Sequence, residues 1–185
     1  MFQVRIHGRG GQGVVTAAEL MSVAAFMEGR HAQAFPSFGS ERMGAPVVAF
    51  CRIHDSEIRS REPVMQPDAV IVQDPTLLHS VEVFDGLAPD GYILLNTSKG
   101  LDELGINELL QTYPAGHVRA VPATDLALTH VGRPIPNAAL LGSFAAMTGV
   151  IDLDAVKAAI KQKFPGAVGD KNVSAATAAF DALQA

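Results

Sequence analysis

A glycine-rich hexapeptide near the N-terminus has the spacing of a loop that binds nucleotide phosphates. It is Gly8-Arg9-Gly10-Gly11-Gln12-Gly13, which matches G-x-G-x-x-G directly after a predicted strand and directly before a predicted helix. Glycine allows backbone angles closed to other residues and lets a ligand approach the main chain. The N-terminus of a helix adds unpaired N–H groups and a partial positive charge, and Arg9 adds a fixed charge. The segment predicts a phosphate site; a tight turn without ligand is the structural alternative.

The chain departs from a standard NAD site at its second predicted strand. Such a site uses Asp or Glu about 20 residues beyond the glycine motif to bind the ribose hydroxyls. Here the strand ends Ala34-Phe35-Pro36-Ser37, and the nearest acid, Glu41, lies deeper in the following loop. This departure counts against NAD and leaves other phosphate-bearing ligands open.

The loop over residues 36–46 is the second candidate, because it combines hydroxyls, an acid, a base and two apolar side chains. Arg42 has a guanidinium that can bind a phosphate or a carboxylate through two hydrogen bonds. Alternatively, Glu41 and Arg42 form a solvated surface pair of little energetic value. Phe38 and Met43 can anchor a partner chain or pack beneath the loop. The residues alone leave both interpretations open.

Other polar residues are more simply structural. Asp74 and Asn137 precede predicted helices and are expected to cap them, and Lys99 lies in a polar loop after a buried strand. His7, beside the glycine-rich segment, is expected to be a packed or surface histidine, and Cys51 a small buried hydrophobe. The histidines lack metal-ligand spacing, and no nucleophile motif is present. We therefore predict neither a catalytic residue nor a metal site on this chain.

Strands alternate with helices along the chain, which predicts a three-layer α/β fold with a mostly parallel, Rossmann-like sheet and helices on both faces. We expect a single domain over residues 1–185. Too few residues separate the second and third strands for a crossover helix, so that pair is antiparallel or joined by an ordered loop. The predicted strands are 2–7, 31–35, 46–53, 69–72, 91–95 and 117–121, and the predicted helices are 14–28, 125–130, 137–150, 152–163 and 173–183.

Composition narrows the classes of function. The 185 residues are 48% hydrophobic, and the net charge is −5 without a basic run, which argues against a nucleic-acid partner. We expect no membrane span and no signal peptide, and one cysteine in a cytoplasmic protein. An iron–sulfur cluster takes about four thiolates, so any such centre must belong to another chain.

Two motifs together resemble one family. The segment 7–14, which contains the glycine-rich hexapeptide, and the segment 33–47 stand at the spacing found in the gamma subunit of pyruvate:ferredoxin oxidoreductase and its 2-oxoacid relatives. The resemblance covers nearly the whole chain. It implies oxidative decarboxylation of a 2-oxoacid, most simply pyruvate, with coenzyme A, giving acyl-CoA, CO2 and reduced ferredoxin.

The resemblance also implies how the cofactors are distributed. Thiamine diphosphate, Mg and 4Fe–4S clusters would lie on the partner alpha, beta and delta subunits of a cytoplasmic hetero-oligomer, with ferredoxin as electron acceptor. This chain would contribute to coenzyme A binding and assembly and would be inactive alone. A stand-alone nucleotide-binding oxidoreductase and a purely architectural subunit are the alternatives. The candidate binding residues are Gly8, Arg9, Gly10, Gly11, Gln12, Gly13, Ser37, Gly39, Glu41 and Arg42.

Overall fold

Alternating strands and helices build one six-stranded sheet in the computed structural model, which describes residues 1–37 and 42–185. The strands are β1 (Phe2–Arg9), β2 (His31–Pro36), β3 (Pro46–His54), β4 (Ala69–Val72), β5 (Tyr92–Asn96) and β6 (Val118–Val121). The α-helices are α1 (Val14–Met27), α2 (Asn107–Leu110), α3 (Ala123–His130), α4 (Asn137–Thr148), α5 (Leu153–Lys163) and α6 (Ala167–Gln184), with short 3-10 helices at Pro75–His79 and Leu101–Leu104.

The sheet is mostly parallel, as predicted. Its strand order is β2-β3-β1-β4-β5-β6, and β3 is antiparallel to both of its neighbours while β1, β4, β5 and β6 run parallel. The second and third strands therefore form the antiparallel pair that the short connection favours. Because β3 begins opposite the end of β1, with Pro46 beside Arg9, the loop before β3 lies against the glycine-rich segment.

Helices cover both faces of the sheet, which confirms the three-layer arrangement. Helices α1, α4, α5 and α6 pack on one face over apolar residues such as Ile6 and Ile71. The opposite face at β4 and β5 is covered by the two 3-10 helices and α2, which pack on Val70, Val72 and neighbouring residues. All four residues of β4 are buried, as a central parallel strand between two layers requires.

Buried polar side chains occupy the second face of β1. The Arg5 guanidinium donates to the carbonyl oxygens of Val64 and Val83 at 3.3 and 3.0 Å, and its Nε donates to Nε2 of His7 at 3.0 Å. Burial, followed by the positive charge of Arg5, lowers the pKa of His7 to about 4. His7 is thus a packed neutral histidine, and Arg5 ties the chain around Val64 and Val83 to the sheet.

Two boundaries differ from the sequence prediction. Strand β1 continues to Arg9 instead of ending at residue 7, because its last residues pair with the start of β3. Helix α6 begins at Ala167 rather than at residue 173 and buries Gly169 and Asn172. The extra turn packs near the C-terminal end of α5, where Gly169 lies against the backbone of Phe164.

Candidate functional site

The first half of the glycine-rich segment is extended chain, not a turn. Gly8 and Arg9 belong to β1, and Gly10 forms a parallel bridge with Met43. The N–H of Gly10 donates to the Ala45 oxygen at 2.9 Å, and the Gly10 oxygen accepts from the N–H of Gly44 at 3.1 Å. The predicted turn over residues 8–13 therefore shortens to 11–13, because the loop before β3 extends the pairing beyond β1.

The true turn presents the N-terminus of α1. Gly11 and Gly13 have φ angles of 92° and 75°, in the left-handed region that favours glycine. Gly13 precedes α1, and none of the described side chains caps that helix. The N–H groups of Val14, Val15 and Thr16 find no acceptor within residues 1–37 and 42–185. These groups can bind an anion.

Arg9 and Gln12 are engaged within the chain. The Arg9 guanidinium donates to the Thr76 hydroxyl and the Gly44 carbonyl, each at 3.0 Å, and its Nε lies 3.4 Å from an Asp74 carboxylate oxygen. The amide of Gln12 accepts from the N–H of Arg9 at 2.7 Å and donates to Asp74 at 2.8 Å. These contacts fasten the turn to the end of β4.

Asp74 performs the capping role predicted for it. Its carboxylate accepts from the N–H of Thr76 at 2.9 Å, at the start of the 3-10 helix Pro75–His79. Burial alone would raise the pKa of Asp74, but hydrogen bonds from Thr76 and Gln12 and the charge of Arg9 outweigh it and lower the pKa below its usual value. Asp74 therefore stays ionised and holds the Arg9 side chain in place.

An acidic cavity lies on the β4 side of the turn. It has a volume of about 520 Å³ and lies at the carboxyl ends of β4, β5 and β6, where open α/β sheets bind ligands. The amide of Gln73 is buried there without a hydrogen-bond partner among the described residues. Three carboxylates and one ammonium group line the cavity, which gives it an excess of negative charge. The charged lining residues are Asp74, Lys99, Glu103 and Asp125.

A basic cavity lies on the other side, at the N-terminus of α1. Its volume is about 510 Å³, and it opens between the turn, the segment before α4, and α6. Arg133 and Lys171 line it, and no carboxylate does. Sequence reasoning missed these two cations, because neither stands in a motif and only the packing of α4 and α6 brings them to the turn. The remaining lining residues are Gly11, Gly13, Thr16, Val131, Ile135, Asn137, Phe164, Val168 and Asn172.

The loop before β3 contributes backbone more than side chains. The N–H of Ser37 donates to the Val48 oxygen at 2.8 Å, which extends the pairing of β2 with β3. The side chains of Ser37 and Arg42 line neither cavity, and both residues are exposed. Met43 is 87% exposed beside Gly11. Phe38, and the candidate residues Gly39 and Glu41, lie outside the described residues.

Three further expectations concern single residues. Asn137 is the first residue of α4, whereas Pro136 is its cap; its side-chain oxygen nevertheless accepts from the N–H of Ala138 at 2.8 Å. Cys51 is fully buried, and burial raises the pKa of its thiol to about 12. Within residues 1–37 and 42–185, no three metal-ligating side chains cluster and no helix is long and apolar enough to cross a membrane.

Comparison with known proteins identifies the class. Residues 3–182 match the family model for pyruvate ferredoxin/flavodoxin oxidoreductase, and the chain belongs to that family. It is 46% identical over 184 residues to pyruvate synthase subunit PorC of Methanothermobacter marburgensis, covering 100% of this chain and 98% of that protein. It is 49% identical over 181 residues to the pyruvate/ketoisovalerate oxidoreductases common subunit gamma of Thermococcus kodakarensis, covering 98% and 96% of the two chains.

Solved structures agree with this assignment. The crystal structure of pyruvate oxidoreductase subunit PORC from Thermotoga maritima superposes with a TM-score of 0.81 at 38% identity, covering 97% of this chain and 95% of that chain. The resemblance to gamma subunits is thereby confirmed. The chain is a gamma-type subunit of a multi-subunit oxidoreductase that acts on the oxo group of 2-oxoacids.

Proposed function

We propose that this chain helps to bind coenzyme A for an enzyme that converts pyruvate, coenzyme A and oxidised ferredoxin to acetyl-CoA, CO2 and reduced ferredoxin. The alpha, beta and delta subunits carry thiamine diphosphate, Mg and the 4Fe–4S clusters, and they perform decarboxylation and electron transfer. This chain provides a binding surface for the acyl acceptor and contacts that hold the complex together.

The uncapped N-terminus of α1 carries this proposal. Gly11 and Gly13 leave its first N–H groups accessible beside a cavity, and coenzyme A brings a pyrophosphate and a further phosphate that suit such groups. Strand β2 ends without the acid that a standard NAD site uses for ribose. Both observations favour a phosphorylated ligand other than NAD.

A solved relative supports the same ligand. The 2-oxoglutarate:ferredoxin oxidoreductase of Magnetococcus marinus was determined with 2-oxoglutarate, coenzyme A and succinyl-CoA bound. Its similarity to this chain has a TM-score of 0.68 at 16% identity, covering 98% of this chain and 31% of that longer one. This fold therefore occurs within an enzyme whose structure contains coenzyme A.

The names of the relatives bear on substrate choice. Several are subunits of pyruvate synthase, whereas others are gamma subunits common to pyruvate and ketoisovalerate oxidoreductases. A subunit shared by two enzymes with different 2-oxoacids suits recognition of a co-substrate that both enzymes use. We therefore assign selection of the 2-oxoacid to the other subunits, and pyruvate as the substrate of this complex.

The predicted site residues divide into two groups under this proposal. Gly11 and Gly13 face the ligand, and Gly8, Gly10, Arg9 and Gln12 hold the turn in place. The loop before β3 forms the mouth of the site or a contact with a partner subunit, and exposed Met43 favours the contact. The loop residues in question are Ser37, Gly39, Glu41 and Arg42.

Calorimetric titration of the isolated chain and of the reconstituted complex with coenzyme A tests the proposal. We expect the complex to bind coenzyme A and to lose that affinity when this chain is left out, while the remaining subunits still decarboxylate pyruvate in a single turnover. Equal coenzyme A affinity without this chain would favour the architectural alternative. Oxidation of pyruvate by the isolated chain would favour the stand-alone enzyme.

A further inference from the structure

The two cavities beside the turn differ in charge, and this difference bears on where a phosphate binds. The acidic cavity has three carboxylates against the single ammonium of Lys99. The basic cavity has Arg133 and Lys171 and no acid in its lining. Nucleotide phosphates are anions near neutral pH, so they are repelled by the first lining and attracted by the second.

We infer that the phosphate end of coenzyme A binds in the basic cavity, against Arg133, Lys171, Asn137 and the first-turn N–H groups of α1. This inference rests on the proposed function and adds to it the residues that recognise the phosphates. None of the three side chains belongs to the glycine-rich segment or to the loop before β3. They come from the segment before α4, from α4 itself and from α6.

Asn137 supplies evidence for a ligand that is independent of the helix terminus. It is only 3% exposed and lines the basic cavity. Because its Oδ1 accepts from the N–H of Ala138, its Nδ2 is the free donor, and Nδ2 has no acceptor among the described residues. That Nδ2 lies 2.9 Å from the position a Cβ on Gly13 would take, beside the N-terminus of α1. A buried donor without a partner is costly, and a phosphate oxygen would satisfy it.

The cations are available for an anion. Arg133 and Lys171 are exposed at the rim of the cavity, and neither forms an ion pair with any residue in 1–37 or 42–185. In contrast, Arg9 already contacts Asp74. The apolar wall formed by Ile135, Phe164 and Val168 suits the purine of the same nucleotide. The cavity therefore combines the features that recognise a phosphorylated adenine nucleotide.

The test compares charge variants of the reconstituted complex. Arg133→Gln combined with Lys171→Gln should raise the KM for coenzyme A about tenfold or more, with kcat at saturating coenzyme A unchanged, since a tenfold change corresponds to about 1.4 kcal/mol. The affinity for 3′,5′-ADP, measured by competition, should fall in parallel. Lys99→Gln is the matched control, because it removes the one cation of the acidic cavity, and it should leave the KM for coenzyme A unchanged.

Asn137→Asp tests the buried donor separately. It keeps the shape of the side chain and the contact with Ala138 but replaces an N–H donor with an anionic oxygen, so it should also raise the KM for coenzyme A. A melting temperature close to the wild-type value confirms that the variant is folded; if it is not, Asn137→Ser provides the same comparison without a new charge.

The outcomes separate this inference from the proposed function. If Lys99→Gln raises the KM for coenzyme A and the double variant does not, the phosphates bind on the acidic side, and only the inference fails. If the double variant and Asn137→Asp both leave the KM unchanged, the inference is likewise overturned. Loss of coenzyme A affinity only on removal of the whole chain would still support the proposed function.

Discussion

Gly10→Ala should destabilise the junction between the glycine-rich segment and the loop before β3. A Cβ on Gly10 would overlap the carbonyl oxygen of Arg42, which is backbone and cannot rotate away. The loop must move, and the hydrogen bonds of Gly10 with Ala45 and Gly44 would break. Two such bonds contribute about 1–3 kcal/mol in total, which for a chain of this length corresponds to a fall in melting temperature of roughly 2–12 °C.

Thermal unfolding followed by circular dichroism measures this effect. Gly100→Ala is a suitable control, since an added Cβ there meets only the carboxylate of Asp102, an exposed side chain that can rotate. The control should melt within about a degree of the wild-type protein. If Gly10→Ala melts with the control, the contact between the two segments is not the rigid junction described here.

Three further predictions concern buried and tethered groups. Because the folded pKa of His7 is about 4, below an unfolded value of about 6.5, the unfolded chain binds more protons between these limits. Its contribution to the free energy of unfolding should fall by about 3 kcal/mol as the pH drops from 6.5 to 4, and urea titrations of His7→Gln should lack this decline. Cys51 should resist iodoacetamide in the folded protein at pH 8 and react in urea, as mass spectrometry would detect; rapid labelling of the folded chain would contradict its burial. Asp74→Ala releases Arg9 and Gln12 and should lower the free energy of unfolding by about 1–2 kcal/mol, whereas an unchanged urea midpoint would mean that these contacts contribute little.

Local patterns were sufficient to predict most of the sheet. The run Ala69–Val72 indicated a strand buried on both faces, and the short connection between β2 and β3 indicated an antiparallel pair. The glycine-rich segment and the loop before β3 were predicted to lie close together, because β2 ends at the ligand-binding edge of the sheet. The bridge between Gly10 and Met43 confirms this.

The parts that could not be predicted depend on contacts distant in sequence. Strand β1 runs on to Arg9 only because residues after the loop pair with it, and no local pattern at residues 8–9 indicates that pairing. The side chain of Arg9 contacts Asp74 across 65 positions of sequence instead of remaining free. Arg133 and Lys171 reach the turn through the packing of α4 against α6, and single charges outside motifs carry no signal of such a destination.

Hydrogen–deuterium exchange of the assembled complex, with and without saturating coenzyme A, tests the central claim most directly. The amides of Val14, Val15 and Thr16 have no acceptor among the described residues, so a bound phosphate should slow their exchange markedly. The account predicts protection at the first turn of α1 and in the segment before α4. Binding of coenzyme A that leaves both segments unprotected would contradict it.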